Sequence, residues 1–217
     1  MSLALFDLDN TLIGGDSDYL WGEFLCDIGA VDREYYEEKN KYFYEQYSLG
    51  KLDIYAYSEF SMEPLSKYSM SELNSFHKRF MQDKIESLFL PKAEKVINWH
   101  KDRGDTLIVI TASNNFVTAP IVSHYEIDNL ISTELEVLDG QYTGNVLGTP
   151  CYKNGKVEKL SLWLRSSKES LDDSTFYSDS HNDLPLLELV TNPVAVNPDE
   201  KLNKAVIKNG WKSVDWR

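Results

Sequence analysis

Cysteine is scarce in this chain: Cys26 and Cys151 are its only two, far apart in sequence. A pair so separated makes no disulfide framework, so a reducing compartment, the cytoplasm, is the expected location. Basic residues are in deficit as well. The 22 Lys and Arg stand against 35 Asp and Glu, for a net charge of −13. A surface that negative repels a polyanion, which argues against nucleic acid as a partner. An acidic protein that binds phosphate must then rely on local devices: a cation, a few Lys side chains and backbone N–H groups. No run of about 18 apolar residues is present, so neither a transmembrane helix nor a membrane partner is expected. The first residues enter an apolar segment without a preceding basic stretch, so no signal peptide is expected either. Internal repeats and low-complexity tracts are also missing. With 42% hydrophobic residues in a length of 217, the chain can bury the core of one domain with room for a small insertion.

What is there falls into two textures. Leu3–Phe6 is a short apolar run and reads as a buried strand. From Asp16 to about Phe89 the chain is rich in Tyr, Glu and Lys, and apolar residues recur at helical spacing, as in Leu20, Phe24 and Ile28. Gly29 and Gly50 look like helix stops, and Ser69-x-x-Glu72 has the form of a capping box, so about four helices and no strand are expected there. Beyond it, Pro91 opens a helix that Gly104 closes. Residues 107–110 are the strongest β signal. Residues 114–124 read as a helix that Pro120 should kink or split. Residues 130–138 read as a strand entering a hairpin at Asp139-Gly140. Helix at 157–164, strand at 175–178, helix at 184–190 and strand at 194–196 follow. This alternation predicts an α/β protein with a parallel sheet. The helical block sits between its first and second strands.

Ligands of open α/β sheets bind beyond the carboxyl ends of the strands. Four places put polar groups near such ends, and their coincidence carries more than any one of them. Asp7 and Asp9, at i and i+2, point to one face. Unpaired they would repel each other; Mg2+, which takes a few carboxylates together with water and substrate phosphate, removes that cost. Thr111 ends the second strand, where a hydroxyl and free N–H groups could hold phosphate oxygens or simply cap the next helix. Lys156 follows Asn154-Gly155, a setting in which Lys is ordinarily solvated. Asp179 and Asp183, with Asn182 between them, make a second acidic strand end. His181 reads as a loop histidine.

These residues carry a resemblance. Asp7-Leu8-Asp9-Asn10-Thr11 matches D-x-D-x-T, Thr111 and Lys156 follow in order, and Asp179-Ser180-His181-Asn182-Asp183 matches D-x-x-x-D. The chain resembles the haloacid dehalogenase superfamily of phosphatases. The insertion between the first two motifs is similar to the cap of the phosphoserine phosphatase-like branch, subfamily IB. The resemblance implies a Rossmann-like three-layer parallel-sheet core, residues 1–14 and 90–217, with a C1-type helical cap at 15–89. It implies Mg2+-dependent hydrolysis of a small phosphorylated metabolite, phosphoserine-like or histidinol-phosphate-like, through an aspartyl-phosphate. Asp7 would be nucleophile and metal ligand. Asp9 would be the general acid/base and a ligand through its carbonyl, and Asp179 a further ligand. Thr111, Ala112 and Lys156 would bind the phosphoryl group, with Asn182 and Asp183 behind them. Loss of Lys156 is expected to cost rate rather than stability. Asp16 falls where phosphoserine phosphatases carry a substrate-contacting Glu. A phosphoserine carboxylate would want an arginine, and Arg33 is the candidate in the cap. The cap's aromatic residues could stack on an imidazole or cation, although such residues ordinarily fill a core. The alternatives are a phosphotransferase or mutase using the same aspartyl-phosphate, and a non-catalytic binding protein of the same fold.

Overall fold

The computed structural model describes residues 2–217. Strand β1 is Leu3–Phe6, and all four residues are wholly buried. Four helices follow: α1 (Ser17–Asp27), α2 (Arg33–Ser48), α3 (Ile54–Ser66) and α4 (Met70–Phe80). Each begins at a side chain that satisfies free N–H groups of its first turn: Asp16, Asp32, Asp53 and Ser69. Ser69 and Glu72 form the capping box reciprocally. Gly50 ends α2 at φ 69°, a conformation that disfavours any side chain. The block closes with a π-helical turn, Met81–Ile85, and a short 3-10 turn, Glu86–Leu88, neither foreseen from sequence.

The rest of the chain runs α5 (Pro91–Asp102), β2 (Thr106–Asn114), α6 (Asn115–His124), β3 (Asn129–Thr133), β4 (Leu135–Leu138), β5 (Gln141–Val146) and α7 (Asn154–Ser166). Then come β6 (Thr175–Ser178), α8 (Leu184–Leu187), β7 (Asn192–Val196), α9 (Glu200–Asn209) and β8 (Lys212–Val214). Three differences from the sequence reading stand out. Pro120 lies inside α6 without splitting it, on an exposed face. The segment read as one strand over 130–138 breaks at Glu134 into β3, a member of the main sheet, and β4, which pairs antiparallel with β5. The short edge strand β8 has no strong apolar pattern to announce it.

Six strands form one parallel sheet in the order β3-β2-β1-β6-β7-β8. A sheet of this kind is covered on both faces, which is why β1 and the centre of β2 are continuous apolar runs. The chain steps outward from β1 through β2 to β3, then returns to β6 on the other side of β1. That reversal makes the edge between β1 and β6 the topological switch point. Phe6 pairs with Val109 on one side and Tyr177 on the other, so the three strands reach their carboxyl ends at one level.

The helical block is not packed apart from the sheet. Its buried residues belong to the same apolar cluster as Phe6, Val109 and Val117. Trp21 of α1 meets Phe116 of α6 edge-on at 5.4 Å, and His77 Nε2 lies 2.9 Å from the Val117 carbonyl. The two chain segments that join block and sheet run side by side. Ile13 bridges antiparallel to Phe89, and the Gly14 N–H donates to the Leu88 carbonyl at 2.8 Å.

Candidate active site

Asp7 is the first residue past β1 and is almost wholly buried. Its N–H donates to the Tyr177 carbonyl, which fixes it at the switch point. Lys156 reaches it from the opposite side. The α7 helix starts tightly enough that a Cβ on Gly155 would overlap the Pro150 carbonyl oxygen, and the next residue, Lys156, is buried. The Lys156 ammonium is 3% exposed and donates to Asp7 and to Asp183, each at 2.8 Å. Burial pushes this lysine down, but the Asp183 and Asp7 charges outweigh burial and hold it above the ordinary range, so it stays charged. Asp183 also accepts from the Ser178 hydroxyl at 2.7 Å.

Asp179, at the end of β6, completes the acidic floor. The Thr11 hydroxyl lies 3.5 Å from an Asp7 oxygen and 3.3 Å from an Asp179 oxygen, so the two carboxylates share one neighbour. Burial, reinforced by the Asp183 and Asp9 charges and opposed by Lys156, lifts Asp7 to about 7. Burial and the Asp7 charge raise Asp179 as well. One ammonium therefore faces three carboxylates, and the excess negative charge fits a hard divalent cation. Among the described residues no three His, Cys, Asp or Glu side chains gather as a metal cage. The carboxylates that face each other across the Thr11 hydroxyl are those of Asp7 and Asp179. Such a set suits a cation that completes its coordination with water and substrate oxygens.

Asp9 is tied to the helical block and to β2 at once. The Ser17 N–H, at the start of α1, donates to it at 2.7 Å, and the Ser113 hydroxyl at 2.7 Å. Thr111 lies 3.4 Å from the same carboxylate and is buried within β2. It does not cap α6; Asn114 does, accepting from the Val117 N–H at 3.0 Å. Thr111, Ala112, Asp9 and Asp7 line a cavity whose other wall comes from α1, α2 and α3. Asp16 and Asp18 both line it.

Three residues lie elsewhere than their strand-end neighbours. Arg33 does not line the cavity: its exposed guanidinium pairs with Asp27 at 3.1 Å and Glu37 at 2.7 Å on the outside of the block. As the first residue of α2, it faces solvent and its helical neighbour Glu37. Asn182 points to the helical block, donating to the Tyr47 carbonyl at 3.2 Å and accepting from the Tyr152 hydroxyl at 3.0 Å. His181 pairs with Asp199 at 2.7 Å, outside the cavity. Sequence reasoning passed over Ser113, Asp18 and Ser178 as individual site residues. The first and last adjoin strand-end residues already singled out. Asp18 follows the capping Asp16 by two residues, about half a helical turn, so no local pattern directed it to the site.

The chain belongs to the haloacid dehalogenase-like hydrolases, whose family model matches residues 4–188. It is a phosphatase of that family. It is 44% identical over 220 residues to the histidinol-phosphatase of Neisseria meningitidis serogroup C (strain 8013), covering 100% of this chain and 99% of that protein. It is 30% identical to phosphoserine phosphatase SerB1 of Mycobacterium tuberculosis, over 99% of this chain and 70% of that one. Among solved structures, a protein of unknown function from Bordetella pertussis Tohama I superposes with a TM-score of 0.93 at 41% identity, covering 100% of this chain and 99% of that chain. A phosphoserine phosphatase with an analogue of the phospho-aspartyl intermediate superposes at 0.71 and 21% identity, over 100% of this chain and 93% of that one; this similarity is one of fold. No helix among the described residues is long and apolar enough to cross a membrane.

Proposed function

We propose that the protein is a Mg2+-dependent phosphomonoesterase that hydrolyses a small phosphorylated metabolite, phosphoserine-like or histidinol-phosphate-like, with Asp7 as nucleophile. The observation that supports this reading is the buried Lys156 ammonium held between Asp7 and Asp183, with Asp7 itself lining the cavity beneath the helical block. A carboxylate attacking a phosphate needs its charge neutralised, and a buried Lys beside it supplies part of that. Asp7, Asp179 and the Asp9 carbonyl would hold the cation, which when bound neutralises charge shared by nucleophile and phosphate.

The residues then divide the work. Lys156 and Thr111, with backbone N–H groups near Ala112, hold the phosphoryl oxygens. An Asp7 oxygen attacks phosphorus as the ester P–O bond breaks, giving an aspartyl-phosphate and an alkoxide. Asp9 gives the alkoxide its proton and is left as a carboxylate. A water then attacks the aspartyl-phosphate, Asp9 takes the proton that water loses, and inorganic phosphate leaves as Asp7 is restored. Residues 15–89 serve as the cap, with the paired segments at Ile13 and Phe89 as its two links to the core. Closing that block over the substrate excludes bulk water.

Release of inorganic phosphate by the purified protein, with Mg2+ and no added acceptor alcohol, tests the reading. Asp7→Asn, nearly isosteric and not nucleophilic, should lose turnover by about 10³-fold or more, in line with loss of a covalent nucleophile, while still folding cooperatively. Substantial activity in that variant would rule out the covalent route.

A further inference from the structure

Asp7 at the floor of the cavity makes the opposite wall the seat of the leaving group, so that wall states which leaving groups fit. It is built from Asp16, Asp18, Tyr19, Tyr44, Tyr47 and Tyr57. No Lys, Arg or His lines the cavity. Of the two arginines in the helical block, Arg33 is spent on Asp27 and Glu37, and Arg79 lies over the Phe24 ring at 5.9 Å. A leaving group bearing a carboxylate thus finds no cation to receive it and meets two acids in place of one.

The two acids are differently held. Asp16 accepts from the Tyr19 N–H at 2.9 Å and caps α1. Asp18 is fixed from two sides, by the Asn114 amide at 3.0 Å and by the Tyr57 side chain. Among the described residues neither acid forms an ion pair. Asn114 and Tyr57 come from β2 and α3, so Asp18 is positioned by three separate elements. Such fixing is more than a solvated surface acid requires. Enclosure and the nearby Asp9 charge raise both acids, Asp16 to about 7. A cation placed beside them would restore their charged form. The tyrosine rings around them offer π faces to the same cation.

We propose, resting on the phosphatase reading above, that Asp18 is a specificity-determining residue that with Asp16 and the tyrosine wall receives a cationic nitrogen of the leaving group. The substrates are then monophosphates of small alcohols that carry an amine or imidazolium and no carboxylate.

The test compares aminoethyl phosphate with propyl phosphate, its uncharged near-isostere, and with phosphoserine, using the Mg2+-loaded protein and reading kcat/KM. Wild-type protein should favour aminoethyl phosphate over both, by roughly tenfold or more, the size of a hydrogen bond to a charged group. In Asp18→Asn, where the amide oxygen can still accept from Asn114 and Tyr57, the aminoethyl-to-propyl ratio should fall by roughly tenfold, chiefly through KM. Equal rates for the charged and uncharged esters, a preference for phosphoserine, or an unchanged ratio in Asp18→Asn would each overturn the assignment while phosphate release upheld the phosphatase reading. Failure to release phosphate from any ester would overturn both. The wild-type ratio needs no variant and decides the matter if Asp18→Asn does not fold.

Discussion

Lys156 sits among Asp7, Asp179 and Asp183 and pairs with the first and last of them at 2.8 Å. Removing one partner from a buried charge cluster strands the others. Lys156→Ala should therefore lower the stability of the metal-free protein by about 3–5 kcal/mol, as for other broken buried pairs. It should also lower kcat/KM by about 10² or more through lost charge stabilisation. Chemical denaturation in chelator, paired with steady-state kinetics in Mg2+, checks both. A variant as stable as wild type would show that the cluster sheds its charge by protonation. From sequence the same lysine promised a loss of rate without a loss of stability, because it follows Asn154-Gly155 and adjoins no long apolar run. Gly155 was visible as a turn residue. What no local pattern carries is that the Pro150 carbonyl packs against it and that the next side chain is buried. The residue types at Asp7, Asp9, Thr111 and Asp179 were legible because motif spacing fixes them to strand ends. The long-range partners Ser113, Ser17 and Asn114 were not, since they come together only through tertiary packing.

The end of α2 shows how an element can act as a clasp. A helix C-terminus leaves its last carbonyls unpaired and carries partial negative charge. Here Asn182, Lys201 and Lys153 reach from the sheet side to the carbonyls of Tyr47, Leu49 and Gly50, at 3.2, 2.7 and 2.8 Å. The double variant Lys153→Met, Lys201→Met removes two cations from this contact. We expect KM to rise roughly fivefold and stability to change by less than about 1 kcal/mol, since exposed pairs contribute little. Faster hydrogen exchange at the α2 C-terminus should accompany it. Unchanged KM and unchanged exchange would show that these contacts do not hold the block closed. Gly50 and the capping Ser69 were readable in sequence because helix ends have local chemistry, whereas Asp16 was read for its place after the first motif and not as a cap. The break at Glu134 was not. Residues 130–138 alternate well enough for one strand, and only pairing with β2 and with β5 divides them.

At the scale of the whole molecule, the parallel sheet was legible from alternating strand and helix patterns, while its order depended on the return of β6 beside β1. That return gathers the acids, and their mutual repulsion links stability to pH and to metal. Asp7 has a folded value of about 7 against an ordinary 3.8, so the folded protein binds protons more readily than the unfolded chain. This group therefore weakens the metal-free fold above about pH 7, and the penalty fades as pH falls toward the unfolded value. His77 and His100 run the other way. Burial lowers both below their ordinary 6.5, so the stability of their neutral forms is present above that value and lost as the unfolded chain takes up protons below it. Asp105, held low by His100, Ser2 and Arg103 against the cost of burial, adds a further loss in stronger acid. Asp16, Asp18 and Asp179 are raised as well and add to the Asp7 penalty, so the metal-free protein should lose stability as pH rises toward and through 7, with the histidines opposing that trend only below about 6.5. On the proposed reading Mg2+ would bind the ionised Asp7 and Asp179 of the folded state, so its stabilisation should follow those carboxylates and not the histidines. The rise in melting temperature on adding saturating Mg2+ should be several degrees at about pH 8, equivalent to about 2–4 kcal/mol at 100 to 1,000 times the dissociation constant. It should shrink steadily as pH drops through 7. Melting curves across that range, in Mg2+ and in chelator, measure the difference directly. A Mg2+ effect of the same size at about pH 8 and about pH 5.5 would place the cation on groups that do not titrate there, away from Asp7.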